Sequence, residues 1–177
     1  MSNYITIRTK TKINENGRIF KQWEDYEIKC GRVPHMFMVL DIIKKYDFDF
    51  FPKVLAWDEK GYSYEFVEGE TLAENINFTS NLLDKVDTKF IYEVKIALDN
   101  IWEELYNASM ELWNGKQFLF HNDLNNANMI YNQDSRKLIL LDLNSVAITN
   151  YIPFSHSFHK TFGALETSEI LNHRKII

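Results

Sequence analysis

The stretch from Phe118 to Tyr131 reads FLFHNDLNNANMIY, and it sets His121, Asp123 and Asn128 in an H-x-D-x4-N spacing. An apolar run, residues 138–141, follows and ends on Asp142. No other part of the chain constrains the fold as tightly. Asp123 and Asn128 sit on a tight loop rather than on one helix face, so each can aim at a different part of a shared cluster. Branched and aromatic residues at 129–131 and 138–141 flank the turn-rich Asn132–Ser135, a β-hairpin pattern. Such a hairpin returns the chain to the loop and brings Asp142 beside Asp123 and Asn128. The competing reading is a plain polar loop, because Asn and Asp side chains bond their own backbone and favour turns. It accounts for residues 122–128 but not for Asp142, since a charge at the end of a Leu/Ile strand needs a partner or a metal.

With an amide and two carboxylates so placed, the stretch has the layout of a phosphotransfer site. One carboxylate takes a hydroxyl proton, while the amide and the second carboxylate hold magnesium on the phosphates. Magnesium suits this set, being a hard cation that takes a few protein oxygens and completes its shell with phosphate oxygens. The loop resembles that of the kinase-like phosphotransferases, above all the aminoglycoside phosphotransferase and choline kinase branch, where it commonly reads H-G-D-L-x-x-x-N. A second stretch carries the same resemblance: Phe51–Trp57, a charged turn at Asp58–Gly61, and residues 62–72 with Glu65, Gly69 and Leu72. These resemble the branch's P-x-V-L…E-x-x-x-G-x-x-L run, the strand and hinge that carry an adenine pocket. The two stretches, residues 50–72 and 118–145, stand in the family's order.

The resemblance implies an α+β, two-lobed protein-kinase-like fold, reduced in size. A small β-rich lobe would span residues 1–66, and a helical lobe with the catalytic loop residues 67–177. It implies an enzyme that uses ATP and Mg2+ to phosphorylate a hydroxyl on a small molecule or a protein side chain. Asp123 would be the catalytic base, and Asn128 and Asp142 the metal ligands. The backbone of Glu65, Phe66 and Val67 would bond adenine. The phosphate-gripping lysine would be Lys21, or Lys29 if three strands precede the helix, with Lys21 preferred for its spacing to the Pro52 strand. A solvent-facing strand lysine is the ordinary alternative for either.

The sequence also departs from the family. The helix glutamate that pairs with the lysine has no clear counterpart: Met36 or Phe37 stands near its place, Asp41 is the nearest acid on the helix, and Glu24 and Glu27 lie before it. Asn14–Gly17 is the only stand-in for a glycine-rich loop, and Asp142 is followed by Leu-Asn-Ser rather than Phe-Gly. The stretch after Asp142 is short for the substrate-binding helices of this branch. These departures support a second reading, a catalytically silent module that binds a nucleotide or a protein. His156, His159 and His173 lie in the tail, and the H-x-x-H pair is half of a zinc spacing with neither a cysteine nor a third ligand nearby. His121 is expected to orient the loop by packing and hydrogen bonds.

Elsewhere the pattern is that of a compact globule. Hydrophobic residues make up 45% of the 177, which argues against disorder. A formal charge of −5 with scattered Lys and Arg gives no footing to a nucleic-acid partner. No apolar run approaches membrane-spanning length and no secretory pattern opens the chain, so a cytoplasmic location is expected. The single cysteine, Cys30, is expected to be a small buried apolar residue. Strands are expected at residues 4–13 and 18–23, with a possible third at 26–30, then a helix at 35–46. The clearest helix is residues 88–114, where Ile91, Val94, Leu98, Ile101, Leu105, Ala108 and Leu112 recur at three- and four-residue steps.

Overall fold

The computed structural model describes residues 7–14, 17–75 and 88–150. Four strands form an antiparallel sheet: β1 (Thr9–Asn14), β2 (Arg18–Trp23), β3 (Val54–Asp58) and β4 (Gly61–Glu65), in the order β1-β2-β4-β3. β2 buries Ile19 and Trp23, and β4 buries Tyr62 and Tyr64. The β2/β4 register sets Lys21 opposite Tyr62.

Residues 26–30 do not form a third strand. Instead α1 (Asp25–Lys29) is a short helix that buries Glu27, whose carboxylate accepts from the Arg8 backbone N–H (3.2 Å) and from Arg32 Nη1 (3.4 Å). Glu and Lys are poor strand formers, and a buried carboxylate needs donors that the helical turn delivers. The same turn leaves Cys30 exposed rather than buried. Lys29, in its last turn, is exposed as well.

α2 (Val33–Tyr46) starts with Pro34 in its first turn, where a missing N–H costs nothing. Val33, Met36, Val39, Leu40 and Ile43 form its buried face, which packs on β3. Asp47 ends it in the left-handed conformation, with its N–H donating to the Ile43 carbonyl at 3.0 Å. Phe48, Phe50 and Phe51 then pack ring on ring, with centroids 4.9–6.1 Å apart.

Past β4 the chain runs down to the second half of the molecule. The Leu72 N–H donates to the Met129 carbonyl at 2.8 Å, and Thr71 bridges to Ile130. Gly69 lies on this path at φ 142°, and a Cβ there would meet Ile130 Cγ2 at 2.8 Å, so both conformation and space require glycine. α3 (Thr88–Trp113) buries the expected stripe from Ile91 to Ala108, together with Phe90, and stops before Asn114 and Gly115, both at positive φ. Against it lie two small antiparallel pairs. β5 (Phe118–His121) pairs with β8 (Val146–Thr149), and β6 (Met129–Asn132) with β7 (Lys137–Leu140). The second pair is the hairpin expected from sequence. One continuous apolar core runs from Ile7 through α2 and α3 to Val146. The fold is α+β. Among the described residues no helix is long and apolar enough to cross a membrane.

Gly61 opens β4 beside the β2 backbone, where an added Cβ would overlap the Lys21 carbonyl oxygen and press the Phe20 ring at 2.8 Å. Backbone cannot yield as a flexible side chain can. Gly61→Ala is therefore expected to destabilise the protein by about 1–3 kcal/mol, the usual cost of overpacking. Urea unfolding measures this, and an unchanged midpoint would refute the close approach of β2 and β4.

Candidate active site

The loop after β5 is built around a buried histidine. Nδ1 of His121 accepts the Asp123 backbone N–H at 3.3 Å, and Nε2 lies 2.6 Å from the Leu141 carbonyl, to which it donates as the N–H tautomer. Both nitrogens of a neutral imidazole are thereby used. Burial pushes the His121 pKa below the ordinary 6.5, against smaller opposing effects from the Leu141 carbonyl and the charges of Asp142 and Asp123. The ring thus ties the start of the loop to the residue before Asp142. The Asn122 N–H, donating to the Ser145 carbonyl at 2.8 Å, adds a second tie.

The asparagines divide by task. Asn125 accepts the Ala127 N–H on its side chain at 2.9 Å and caps a 3-10 turn at Asn126–Asn128, so it is a turn former. Asn128 turns inward. Its Nδ2 donates to the Asp123 carbonyl (3.0 Å) and to Asp123 Oδ2 (3.1 Å), while its own carbonyl accepts the Leu141 N–H at 2.8 Å. With the amide nitrogen committed to Asp123, the remaining side-chain atom, Oδ1, is an acceptor suited to a cation.

Asp142 is held in the left-handed conformation (φ 59°, ψ 59°). A non-glycine residue there costs about 1–2 kcal/mol, least for Asp and Asn. Local bonds offset it: the Ser145 N–H donates to the Asp142 carbonyl at 2.8 Å, and Oδ2 accepts from Ser145 Oγ (3.1 Å) and Asn144 Nδ2 (3.2 Å). Oδ1 pairs with Lys21 Nζ at 3.1 Å, with the side chains only 25% and 14% exposed. Shielded to that degree, the pair is screened less than a surface ion pair. Behind it, Tyr62 donates its hydroxyl to Asn144 Oδ1 at 3.2 Å. Burial first, then the nearby Asp142 charge, pushes the Tyr64 hydroxyl up to about 12.

Lys21, Asp123, Asn128 and Asp142 are therefore joined by side-chain and loop bonds into one cluster. Lys29 is outside it, on α1. Of the three residues expected to face adenine, Glu65 gives its N–H to the Lys53 carbonyl (3.0 Å) and Phe66 gives its own to the Gly17 carbonyl (2.9 Å). The Phe66 side chain is exposed. His156, His159 and His173 lie outside the described residues, among which no group of three or more His, Cys, Asp or Glu is placed to hold a metal. Sequence reasoning missed Tyr62, Asn144 and Ser145. The Asp142-x-Asn144-Ser145 spacing carried a local signal, a carboxylate followed by donors two and three residues on. Nothing in the sequence pointed to Tyr62.

No protein-family model matches the sequence, and no curated protein does. Solved structures do match. The streptomycin–ATP–APH(2″)-IIa ternary complex aligns at 12% identity over 85% of this chain and 66% of that one, with a TM-score of 0.44. Choline kinase from Cryptosporidium parvum Iowa II aligns at 17% identity over 82% and 60%, with a TM-score of 0.40. A macrolide 2′-phosphotransferase from Brachybacterium faecium aligns at 10% identity over 85% and 67%, with a TM-score of 0.39. This chain spans about two thirds of the length of these structures or less.

The buried neutral His121 has a consequence for stability. Its folded pKa lies below the unfolded value of 6.5, as does that of His35, also lowered by burial. Below that value the unfolded chain binds more protons, so stability is present above about pH 6.5 and falls as the pH drops through it. The thermal midpoint should decline between pH 7.5 and 5.5, and His121→Asn should flatten the decline. A variant as steep as the wild type would show that His121 is not the buried neutral group.

Proposed function

We propose that this protein transfers the γ-phosphoryl group of ATP to a hydroxyl acceptor with Mg2+. The observation that carries the reading is that the Lys21–Asp142 and Asn128–Asp123 pairs, drawn from three separate segments of the chain, are tied together by the Leu141 N–H on the Asn128 backbone carbonyl. A polar loop made only of local turns gives no reason for a strand lysine to meet the aspartate that follows β7.

Asp123 orients the acceptor hydroxyl and takes its proton, with its carboxylate aimed by the Asn128 amide at 3.1 Å. Lys21 neutralises phosphate oxygens. Asn128 Oδ1 and the Asp142 carboxylate are the oxygens that would hold Mg2+, which would supply positive charge to offset that of the phosphates. Two protein oxygens suit a cation that takes its other ligands from phosphate and water. Adenine would lie along residues 65–67. The Glu65 and Phe66 N–H groups are already bonded to carbonyls, whereas the Val67 N–H makes no backbone bond among the described residues. The acceptor is a small alcohol or a protein side chain, and the division into lobes falls near residue 66.

One observation favours the second reading, a nucleotide- or protein-binding module without turnover. Among the described residues Lys21 pairs with Asp142 and not with a helix carboxylate, so the lysine occupies an oxygen that the cation would use. Two measurements decide. Asp142→Ala should abolish Mg2+-dependent ATP binding by calorimetry, and Asn128→Ala should weaken it. Unchanged affinity in both would leave the polar-loop account standing. Asp123→Ala should keep Mg-ATP affinity while turnover on an acceptor panel falls about 10²-fold or more, mainly in kcat. Wild-type protein that binds Mg-ATP but phosphorylates nothing in the panel or in cell lysate would establish the silent module.

A further inference from the structure

We propose that Tyr62 and Asn144 are positioning residues that set the orientation of the Asp142 carboxylate, an inference that rests on the phosphotransfer reading of the site. Lys21 meets no acid of α1 or α2 within ion-pair distance among the described residues. Glu27 is buried and spent on Arg8 and Arg32, and Asp41 is exposed on α2. What holds the lysine–aspartate pair is a series of side chains that the sheet backbone closes into a ring. Lys21 Nζ bonds Asp142 Oδ1 (3.1 Å), Asp142 Oδ2 accepts from Asn144 Nδ2 (3.2 Å), and Asn144 Oδ1 accepts from the Tyr62 hydroxyl (3.2 Å). The ring closes through the sheet, because Tyr62 is the β4 register partner of Lys21 on β2.

Each member has little freedom. Asn144 is buried, and its backbone carbonyl accepts the Ile7 N–H at 3.2 Å, so its amide can turn only about its own side-chain bonds. The Tyr62 hydroxyl fixes that turn: it is a donor, and it selects the oxygen of the amide, which leaves the nitrogen to face Asp142. Burial keeps the phenol protonated, with its pKa raised well above 10.0. The Tyr62 ring packs between Trp23 (centroids 5.1 Å apart) and Tyr64 (5.8 Å), so it stays in place when the hydroxyl is removed. Without that hydroxyl the amide loses its preferred sense, Asp142 Oδ2 loses a donor, and the carboxylate is less well aimed at the site.

The test uses the full chain and calorimetric titration of ATP at a series of Mg2+ concentrations. Tyr62→Phe and Asn144→Ala should raise the Mg2+ concentration for half-maximal ATP binding about threefold to tenfold, the effect of one lost hydrogen bond. Ser109→Ala is the control. It removes a buried hydroxyl that accepts the Leu119 N–H at 2.9 Å, away from the ring, and should lower stability without moving the Mg2+ requirement. Wild-type Mg2+ dependence in both Tyr62→Phe and Asn144→Ala, or an equal shift in Ser109→Ala, overturns the inference. If wild-type protein shows no Mg2+-dependent ATP binding, the phosphotransfer reading fails, and the ring is judged on ligand-free protein. Urea midpoints of Lys21→Met, Asn144→Ala and the double variant should then be non-additive, because the two residues couple through Asp142. Additive shifts overturn the ring itself.

Discussion

The carboxylate of Asp142 takes its donors from both halves of the chain. Lys21, on the N-terminal sheet, holds one oxygen, and Asn144 and Ser145, on the turn that follows, hold the other. A partly shielded carboxylate without such donors would carry an unmet desolvation cost. The fold meets it at one place, where the four-stranded sheet, the β6–β7 hairpin and the loop after β5 converge. The left-handed backbone at Asp142 belongs to the same arrangement. It turns the chain sharply at the end of β7, so that the next two polar side chains fold back onto the carboxylate.

His121 plays the matching part on the other side of the cluster. Its two nitrogens bridge the loop backbone to the Leu141 carbonyl, and its burial favours the neutral ring that this bridge requires. A charged ring would have a proton on both nitrogens and could not accept the Asp123 N–H. Asp123 and Asp142 are thus positioned through one imidazole, whose bonds reach the backbone of the first and of the residue before the second. Asn128 completes the link, with its nitrogen on Asp123 and its carbonyl on the Leu141 N–H.

Toward residues 65–67 the arrangement is sparser. The carbonyls of Lys53 and Gly17 take the N–H groups of Glu65 and Phe66, and Phe66 is itself exposed. No helix carboxylate aligns Lys21 among the described residues, and Glu27, the buried acid of α1, belongs to a different network. The site is therefore better ordered on its carboxylate side than on the side proposed for adenine.

The hairpin, α2, α3 and the loop spacing were legible in the sequence because each rests on local rules. Alternation and turn residues mark strands, three- and four-residue steps mark helices, and the order H-x-D-x4-N followed by a strand and Asp is visible without coordinates. The short helix at Asp25–Lys29 was not legible, since five residues of mixed propensity are decided by where Glu27 finds donors, and Arg8 and Arg32 are tertiary partners. The exposure of Cys30 followed from that helix. Spacing favoured Lys21 over Lys29 only slightly, and it is the β2/β4 register, with the turn at Asp142, that brings Lys21 and not Lys29 to the carboxylate. The Tyr62–Asn144 contact spans 82 residues. The sequence determined which residues could carry chemistry, because residue type and spacing are local properties. Only the tertiary structure decided which of them meet, because a hydrogen bond depends on distance and direction that no spacing along the chain specifies.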